Sequence, residues 1–319
     1  MRRAVWRWGR RISPALVLAV LVWRLGTGAF LSGVRAVDGP ALAAGSGIAL
    51  LTTVCCAWRW RIVARGLGVT LSLPAAVAAY YQSVFLNVTL PGGVVGDIHR
   101  GVSHGRDVRD VSRAMRAVVW ERSAGQLVQA LLTIAVLLAL PSPVRSAMPL
   151  VVVAVVVALA AAVLAVRARP GHGRSPWARV RSAVTSDLRG ALGGRRAWPA
   201  VVLASALVVA GHAVTFLIAA RTAGATAPVS QMLPIALLAM MGMVLPSAAG
   251  WGPREGVTAW AFGAAGLGAQ RGVTTAVVYG VMVLVASLPG AAVLAVAWFR
   301  RTRSAGRSAS CPREGAVHA

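Results

Sequence analysis

Apolar residues in this chain come in runs of about 20, separated by short clusters of arginine, glycine and proline, and the alternation recurs along its whole length. A helix of that length covers a hydrocarbon core of roughly 30 Å at 1.5 Å per residue. The pattern predicts full spans near 12–31, 41–60, 116–140, 147–167, 199–220 and 273–299. Two further apolar segments, 73–91 and 231–247, run into Pro/Gly clusters: "NVTLPGGVVGDIHR" (87–100) and "MVLPSAAGWGPREG" (243–256). A continuous lipid-facing helix would leave backbone groups unpaired there, so both segments are read as re-entrant, turning back inside the membrane. The expected fold class is an all-α polytopic membrane protein of six full spans and two re-entrant helical segments.

In this scheme a break near Pro141 to Ser146 separates two stretches of one plan: span, span, re-entrant segment, span. Each stretch crosses three times, and an odd number turns the second upside down, giving an inverted repeat. The domain reading is a basic cytoplasmic N-terminus (1–11), a first membrane repeat (12–140), a second repeat (147–300) with a basic cytoplasmic loop (167–198), and a disordered cytoplasmic tail (301–319). The two broken segments share letters as well. Leu90 and Pro91 precede Gly96 and Asp97; Leu245 and Pro246 precede Gly250, Gly252, Arg254 and Glu255.

Composition sharpens the picture. Hydrophobic residues make up 57% of the 319, with 33 basic side chains against 8 acidic ones. Every basic residue is arginine, which in so Ala-, Val- and Gly-rich a chain reads as codon usage rather than guanidinium chemistry. The arginines lie beside apolar spans, where positive-inside bias and anionic head groups account for them, so nucleic acid is not an expected partner. Clusters at Arg2–Arg11, Arg59–Arg65, Arg100–Arg113, loop 167–198 and Arg300–Arg307 all fall on one side if both short segments return to their side of entry. Both termini are then cytoplasmic in a multi-pass cell-membrane protein. The N-terminal run lacks a clear small-residue cleavage site and is kept as a span rather than a signal peptide.

Other chemistry is thin. Cys55, Cys56 and Cys311 offer no disulfide framework, the five histidines show no metal-ligand spacing, and no cofactor is expected. No G-x-x-x-x-G-K-[ST] motif exists, so the chain itself is not expected to hydrolyse ATP. The candidates gather at the broken segments. Pro91 ends a helix, and Gly92, Gly93 and Gly96 allow backbone shapes and close approaches that other residues resist. A helix starting near Asp97 would present unpaired N–H groups to an anion such as a lipid phosphate, with Asp97 as its alternative cap. Arg100 suits a bidentate phosphate contact, or else ordinary cytoplasmic anchoring. Asn87, Tyr80, Tyr81 and Gln82 line the segment or bond across helices. In "VVWERSAGQLVQ" (118–129), Glu121 and Arg122 point about 100° apart on a helix, so Glu121 needs another partner. Asp97, Glu121 and Glu255 are costly in a membrane unless paired with arginine or lining water. Trp251 can rest at head-group level, and Arg254 lies where arginine is otherwise scarce.

The residues "NVTLPGGVVGDIHRG", "ERSAGQL" and "LPSAAGWGPREG", in that order from about 12 to 300, resemble the membrane region of lysylphosphatidylglycerol synthases and their stand-alone, flippase-like relatives. Pro91, Gly96, Asp97 and Arg100 match the first motif, Glu121 and Arg122 the second, and Pro246, Gly250, Gly252 and Glu255 the third. The resemblance implies movement of a phospholipid or lipid-linked precursor between leaflets, with anionic or lipid-linked membrane lipids as partners. About 20 residues follow the last span, so no aminoacyl-transferase domain and no lysyl transfer are expected of this chain. Two other readings stay open: an intramembrane lipid-modifying enzyme using Asp97 with His99 or His104, and a non-catalytic partner of a separate lipid synthase.

Overall fold

The computed structural model describes residues 19–23, 26–167, 185–187, 197–245, 247–248 and 250–309. The predicted basic N-terminus, most of loop 167–198, Pro246 and the end of the tail lie outside the described residues. All regular secondary structure among the described residues is helical, apart from one isolated bridge between Ala248 and Trp251.

Helix starts follow from local chemistry. Helix α1 (Gly28–Ala36) leads into α2 (Gly39–Gly66), where the Asp38 carboxylate accepts from the Ala41 amide at 2.8 Å and Pro40 occupies the first turn. Ser72 and Pro74 open α3 (Leu73–Thr89) in the same way. After α4 (Val95–Asp107), Asp110 caps α5 (Val111–Ala139) by accepting from the Arg113 amide at 2.9 Å. Helices α6 (Met148–Arg167), α7 (Ala197–Thr222), α8 (Val229–Gly242), α9 (Pro253–Ala264) and α10 (Ala269–Ala309) complete the chain.

Four helices are long and apolar enough to cross a membrane among the described residues: α2, α5, α7 and residues Ala269–Phe299 of α10. They coincide with four of the predicted spans, and the 20-residue α6 occupies a fifth. The described part of 12–31 departs from the reading. It is not one continuous helix, because Gly26 takes φ +74° and the helix restarts as α1. Helix α2 continues past 60 to Gly66, since arginine is a good helix former and Arg59 finds a buried counter-ion.

The two broken segments each form a helical hairpin. Trp60 and Val69 pack in one apolar cluster with Leu73 and Val77, at the start of α3, and with Val108, just after α4. Ala227 and Met232, at the start of α8, pack in a second cluster with Ala265 and Leu267, just after α9. Both ends of each pair therefore lie together, and the break between them forms a tip. The tips touch: the Gly92 amide donates to the Ser247 carbonyl at 2.8 Å. Around them, the most extensive helix pairing is α2 with α7, one from each half of the chain, and α10 lies close along α3. That approach requires Gly290, where a Cβ would stand 2.1 Å from the Tyr81 carbonyl oxygen. Leu131 and Leu138 on α5 and Leu150 and Val153 on α6 are exposed, an apolar exterior that hydrocarbon covers.

Candidate functional site

The first tip is built by sequence-local rules. Helix α3 stops at Thr89, ahead of Pro91, and Gly92 and Gly93 turn the chain with φ of +109° and +68°. Gly96 serves a different need. A Cβ there would lie 2.0 Å from the Ser83 carbonyl oxygen, so only glycine lets α4 pack against α3. The Val94 N-cap makes no side-chain cap bond; Asn87 reaches across from α3 instead, its Oδ1 accepting from the Gly96 amide at 2.7 Å and its Nδ2 donating to Asp97 Oδ2 at 3.0 Å.

Asp97 is the centre of that turn. Ser83 Oγ donates to Oδ1 at 3.2 Å, Arg100 Nε donates to Oδ1 at 3.1 Å, and Arg122 donates to Oδ2. One helix away, Glu121 is wholly buried. Its Oε1 accepts from Arg59 Nε at 2.8 Å, Arg59 Nη2 at 2.5 Å and Tyr80 OH at 2.7 Å, and its Oε2 accepts from Arg100 Nη2 at 2.7 Å. Arg100 thus joins both carboxylates, and its guanidinium lies over the Tyr80 and Trp60 rings at 4.2 and 4.7 Å. Arg59 Nη1 also donates to Ser205 Oγ on α7 at 2.9 Å. Gly125, one turn beyond Glu121, makes room: a Cβ there would come within 2.6 Å of Arg59 Nη1. Burying these charges is tolerable because each carboxylate oxygen is occupied by a donor.

The second tip repeats the logic with fewer parts. Gly250 and Gly252 hold φ of +78° and +116°, and Pro253 occupies the first position of α9, where its missing N–H costs nothing. Glu255, third in α9 as Asp97 is third in α4, accepts from the Gly252 amide at 2.7 Å and from Arg254 Nε at 2.9 Å. The Arg254 guanidinium lies 5.1 Å from the Tyr279 ring centroid and 5.5 Å from that of Trp251. Gly280 leaves the space it fills, since a Cβ there would stand 2.6 Å from Arg254 Nη2. Tyr279 OH pairs with His212 Nδ1 at 2.9 Å.

A cavity of about 270 Å³ lies between the tips. Asn87 and Gly93 reach it from one tip, and Ser247, Gly250 and Trp251 from the other. Its charged wall is Arg59, Arg122 and Arg254; among the described lining residues none is Asp or Glu. Gln126, Gln129, Ser205 and His212 add polar groups, while valines and methionines form the apolar wall. Met243 and Val244 line it and are also 43% and 55% exposed, so the cavity borders the molecule's outer apolar surface.

The sequence profile describing the lysylphosphatidylglycerol synthase TM region matches residues 8–290, nearly the whole chain. The chain belongs to this family. No curated protein matches it. As a member of the lysylphosphatidylglycerol synthase membrane-region family, it is a multi-pass helical membrane protein of a lipid-related group.

Among this family member's expected site residues, Asn87, Gly93, Arg122, Gly250 and Arg254 line the cavity. Pro91, Gly92, Gly96 and Gly252 shape the tips, and Asp97, Glu121 and Glu255 sit behind the arginines; Pro246 lies outside the described residues. Glu121 and Arg122 face different partners, in keeping with their angular separation. Two readings are corrected. Arg100 is 1% exposed, gives Nε to Asp97 and Nη2 to Glu121 and lies against two rings, so it is not an interfacial anchor, and it is absent from the cavity wall. Asp97 is no cap; its four donors are side chains. Trp251 and Arg254 line the cavity.

Sequence reasoning missed Arg59 as a site residue, counting it with the cytoplasmic arginines. The available signal was its place between Trp58 and Trp60 in an apolar run that continues through Val63. Ser205, Gln126, Gln129 and Tyr279 carried no local signal, because each joins the site only through the packing of α5, α7 and α10.

Proposed function

We propose that this protein is a flippase-like transporter, in which the cavity between the tips holds the phosphate-bearing head group of a phospholipid or lipid-linked precursor as it passes between leaflets. The observation that carries the reading is the cavity wall: three arginines face inward and the carboxylates that neutralise them stand behind. Guanidinium forks in a low-dielectric pocket are strong phosphate ligands. At about 270 Å³ the space suits a head group rather than acyl chains, which the bordering Met243 and Val244 surface would meet in the bilayer.

In this proposal both hairpins are re-entrant and the two halves form an inverted repeat. The shared element order supports it: long helix, short helix, glycine break, short helix, long helix, with an acidic residue third in the helix after each break. Both termini are cytoplasmic and the membrane is the plasma membrane. Asp187, in the described part of loop 167–198, pairs with Arg116 Nε at 2.9 Å and accepts from Trp120 Nε1 at 3.1 Å, which supports placing Asp187 and the start of α5 on one face, as the positive-inside scheme requires. Movement runs without ATP, downhill or coupled to an ion, and the chain catalyses no reaction on the lipid, which a separate synthase supplies.

The test is leaflet exchange of fluorescent anionic, zwitterionic and aminoacylated lipids in proteoliposomes, comparing the native protein with Arg254→Gln and with empty vesicles. The proposal expects exchange that the substitution cuts sharply. Folded native protein that exchanges no lipid above the empty-vesicle rate refutes it.

A further inference from the structure

The charges around the cavity do more than attract phosphate. We infer that the site selects a singly anionic phosphodiester head group without an amine and rejects the aminoacylated form of the same lipid; this rests on reading the cavity as the head-group site. Four arginines, Arg59, Arg100, Arg122 and Arg254, are set against three carboxylates, Asp97, Glu121 and Glu255, leaving one positive charge. A single phosphodiester neutralises it.

The arrangement is directional as well as unbalanced. Glu121 and Glu255 are fully buried and Asp97 is 7% exposed, all held behind guanidinium groups. An ammonium in the cavity would therefore meet Arg122 and Arg254 before any carboxylate. It would lose its water with only neutral amide, hydroxyl, imidazole and aromatic groups to replace it, next to like charge, which is the arrangement by which sites exclude wrong partners. Arg122 is the cation best placed to shift onto the ligand. Its side chain is 42% exposed, and Asp97 keeps three other donors if it moves. The lysyl ester after which the family is named carries two amines on that phosphodiester, and it fits this wall worst.

The experiment compares fluorescent phosphatidylglycerol with its lysyl ester in the same proteoliposomes. Stabilisation of the purified protein by short-chain versions of both lipids is measured in parallel. Expected is an advantage of about tenfold or more for phosphatidylglycerol in exchange rate, and stabilisation by it alone; tenfold corresponds to about 1.4 kcal/mol, a modest like-charge penalty. Equal or faster exchange of the lysyl ester, or equal stabilisation, overturns the selectivity. Stabilisation by phosphatidylglycerol alone with exchange of neither lipid upholds the selectivity and refutes the transport reading. Gln126→Glu places a carboxylate on the cavity wall and is expected to raise the relative rate of the lysyl ester several-fold; an unchanged ratio refutes the charge argument. Millimolar glycerol phosphate should leave exchange unaltered. Inhibition would assign the site to soluble phosphate esters and overturn the lipid assignment.

Discussion

Glutamine at position 121 keeps the shape of the side chain and removes its charge. In the native protein Glu121 takes two bonds from Arg59 and one each from Tyr80 and Arg100, at 2.5 to 2.8 Å, with no exposure to solvent. Glu121→Gln turns one oxygen into an NH₂ group that points its hydrogens at an arginine. It also leaves three clustered arginines, Arg59, Arg100 and Arg122, with Asp97 as their one remaining counter-charge. Removing one member of a buried ion pair costs about 3–5 kcal/mol, because the other charge stays behind unpaired. Against a typical total of about 5–15 kcal/mol that is a large loss, a fall of roughly 10²- to 10⁴-fold in the folded-to-unfolded ratio.

The assay uses the protein's own thiols. Cys55 is buried and Cys56 half-buried, so with Cys311 replaced by serine a thiol-reactive dye reports unfolding of α2 in detergent. The control is Asp110→Asn. Asp110 is a half-exposed residue whose pairing with Arg113 is worth about 1 kcal/mol at most, and whose capping role asparagine fills equally well. Glu121→Gln should melt many degrees below the control. Adding Arg59→Met should recover part of the loss, because the uncompensated cation is removed with its partner. If Glu121→Gln melts with the control, or if Arg59→Met only adds to the damage, the buried network is not what holds α2, α4 and α5 together.

Other substitutions probe the tips. Asn87→Ala removes the contacts to the Gly96 amide and Asp97 and should cost about 1–2 kcal/mol, like loss of a helix cap; an unchanged melt would rule out Asn87 as the surrogate cap. Gly96→Ala drives a Cβ into the Ser83 carbonyl and should destabilise by at least about 1–3 kcal/mol, whereas Gly92→Ala meets no atom within 4 Å and suffers only the strain of its φ. Equal melts for the two would contradict the close helix approach at Gly96. Arg254→Lys keeps the charge but loses the planar contacts on Tyr279 and Trp251 and the second bond to Glu255, so lipid exchange should fall well below native. Native rates in Arg254→Lys would show that charge alone suffices there.

What could be read in advance divides by range. Helix class, most helix positions and both breaks follow from apolar periodicity and from proline and glycine, which act on their own few residues. Asp97, Glu121 and Glu255 stood out because an unpaired carboxylate in an apolar run demands explanation. The identity of the partners did not follow, since Arg59 lies 62 residues from Glu121 and Ser205 lies 146 from Arg59. The same distance problem produced the error over Arg100. Its local sequence is that of an interfacial arginine, and only the packing of α2 and α3 around it buries it under Trp60 and Tyr80.

The allocation of bonds between the halves bears on how such a molecule could work. The ion pairs around the cavity each lie within one half: Arg59, Arg100 and Arg122 with Asp97 and Glu121 in the first, Arg254 with Glu255 in the second. Across the tips the halves are tied by the Gly92–Ser247 backbone bond, and beside the cavity by Arg59 to the Ser205 hydroxyl. The backbone bond is worth about 0.5–1.5 kcal/mol net and the arginine–hydroxyl bond about 1.5–3 kcal/mol, and water can replace both. Among the described residues one ion pair, Arg116 with Asp187, bridges the halves; it lies away from the cavity, between the half-exposed Arg116 and the buried Asp187. Alternating access by rocking one half against the other would therefore leave the ion pairs around the cavity intact, while separating α2, α4 and α5 within the first half would have to break one. The charge network thus ties α2, α4 and α5 of the first half together, and the cavity, set at the junction of the halves with arginines from both, is the place where a relative movement would change what a bound phosphate touches.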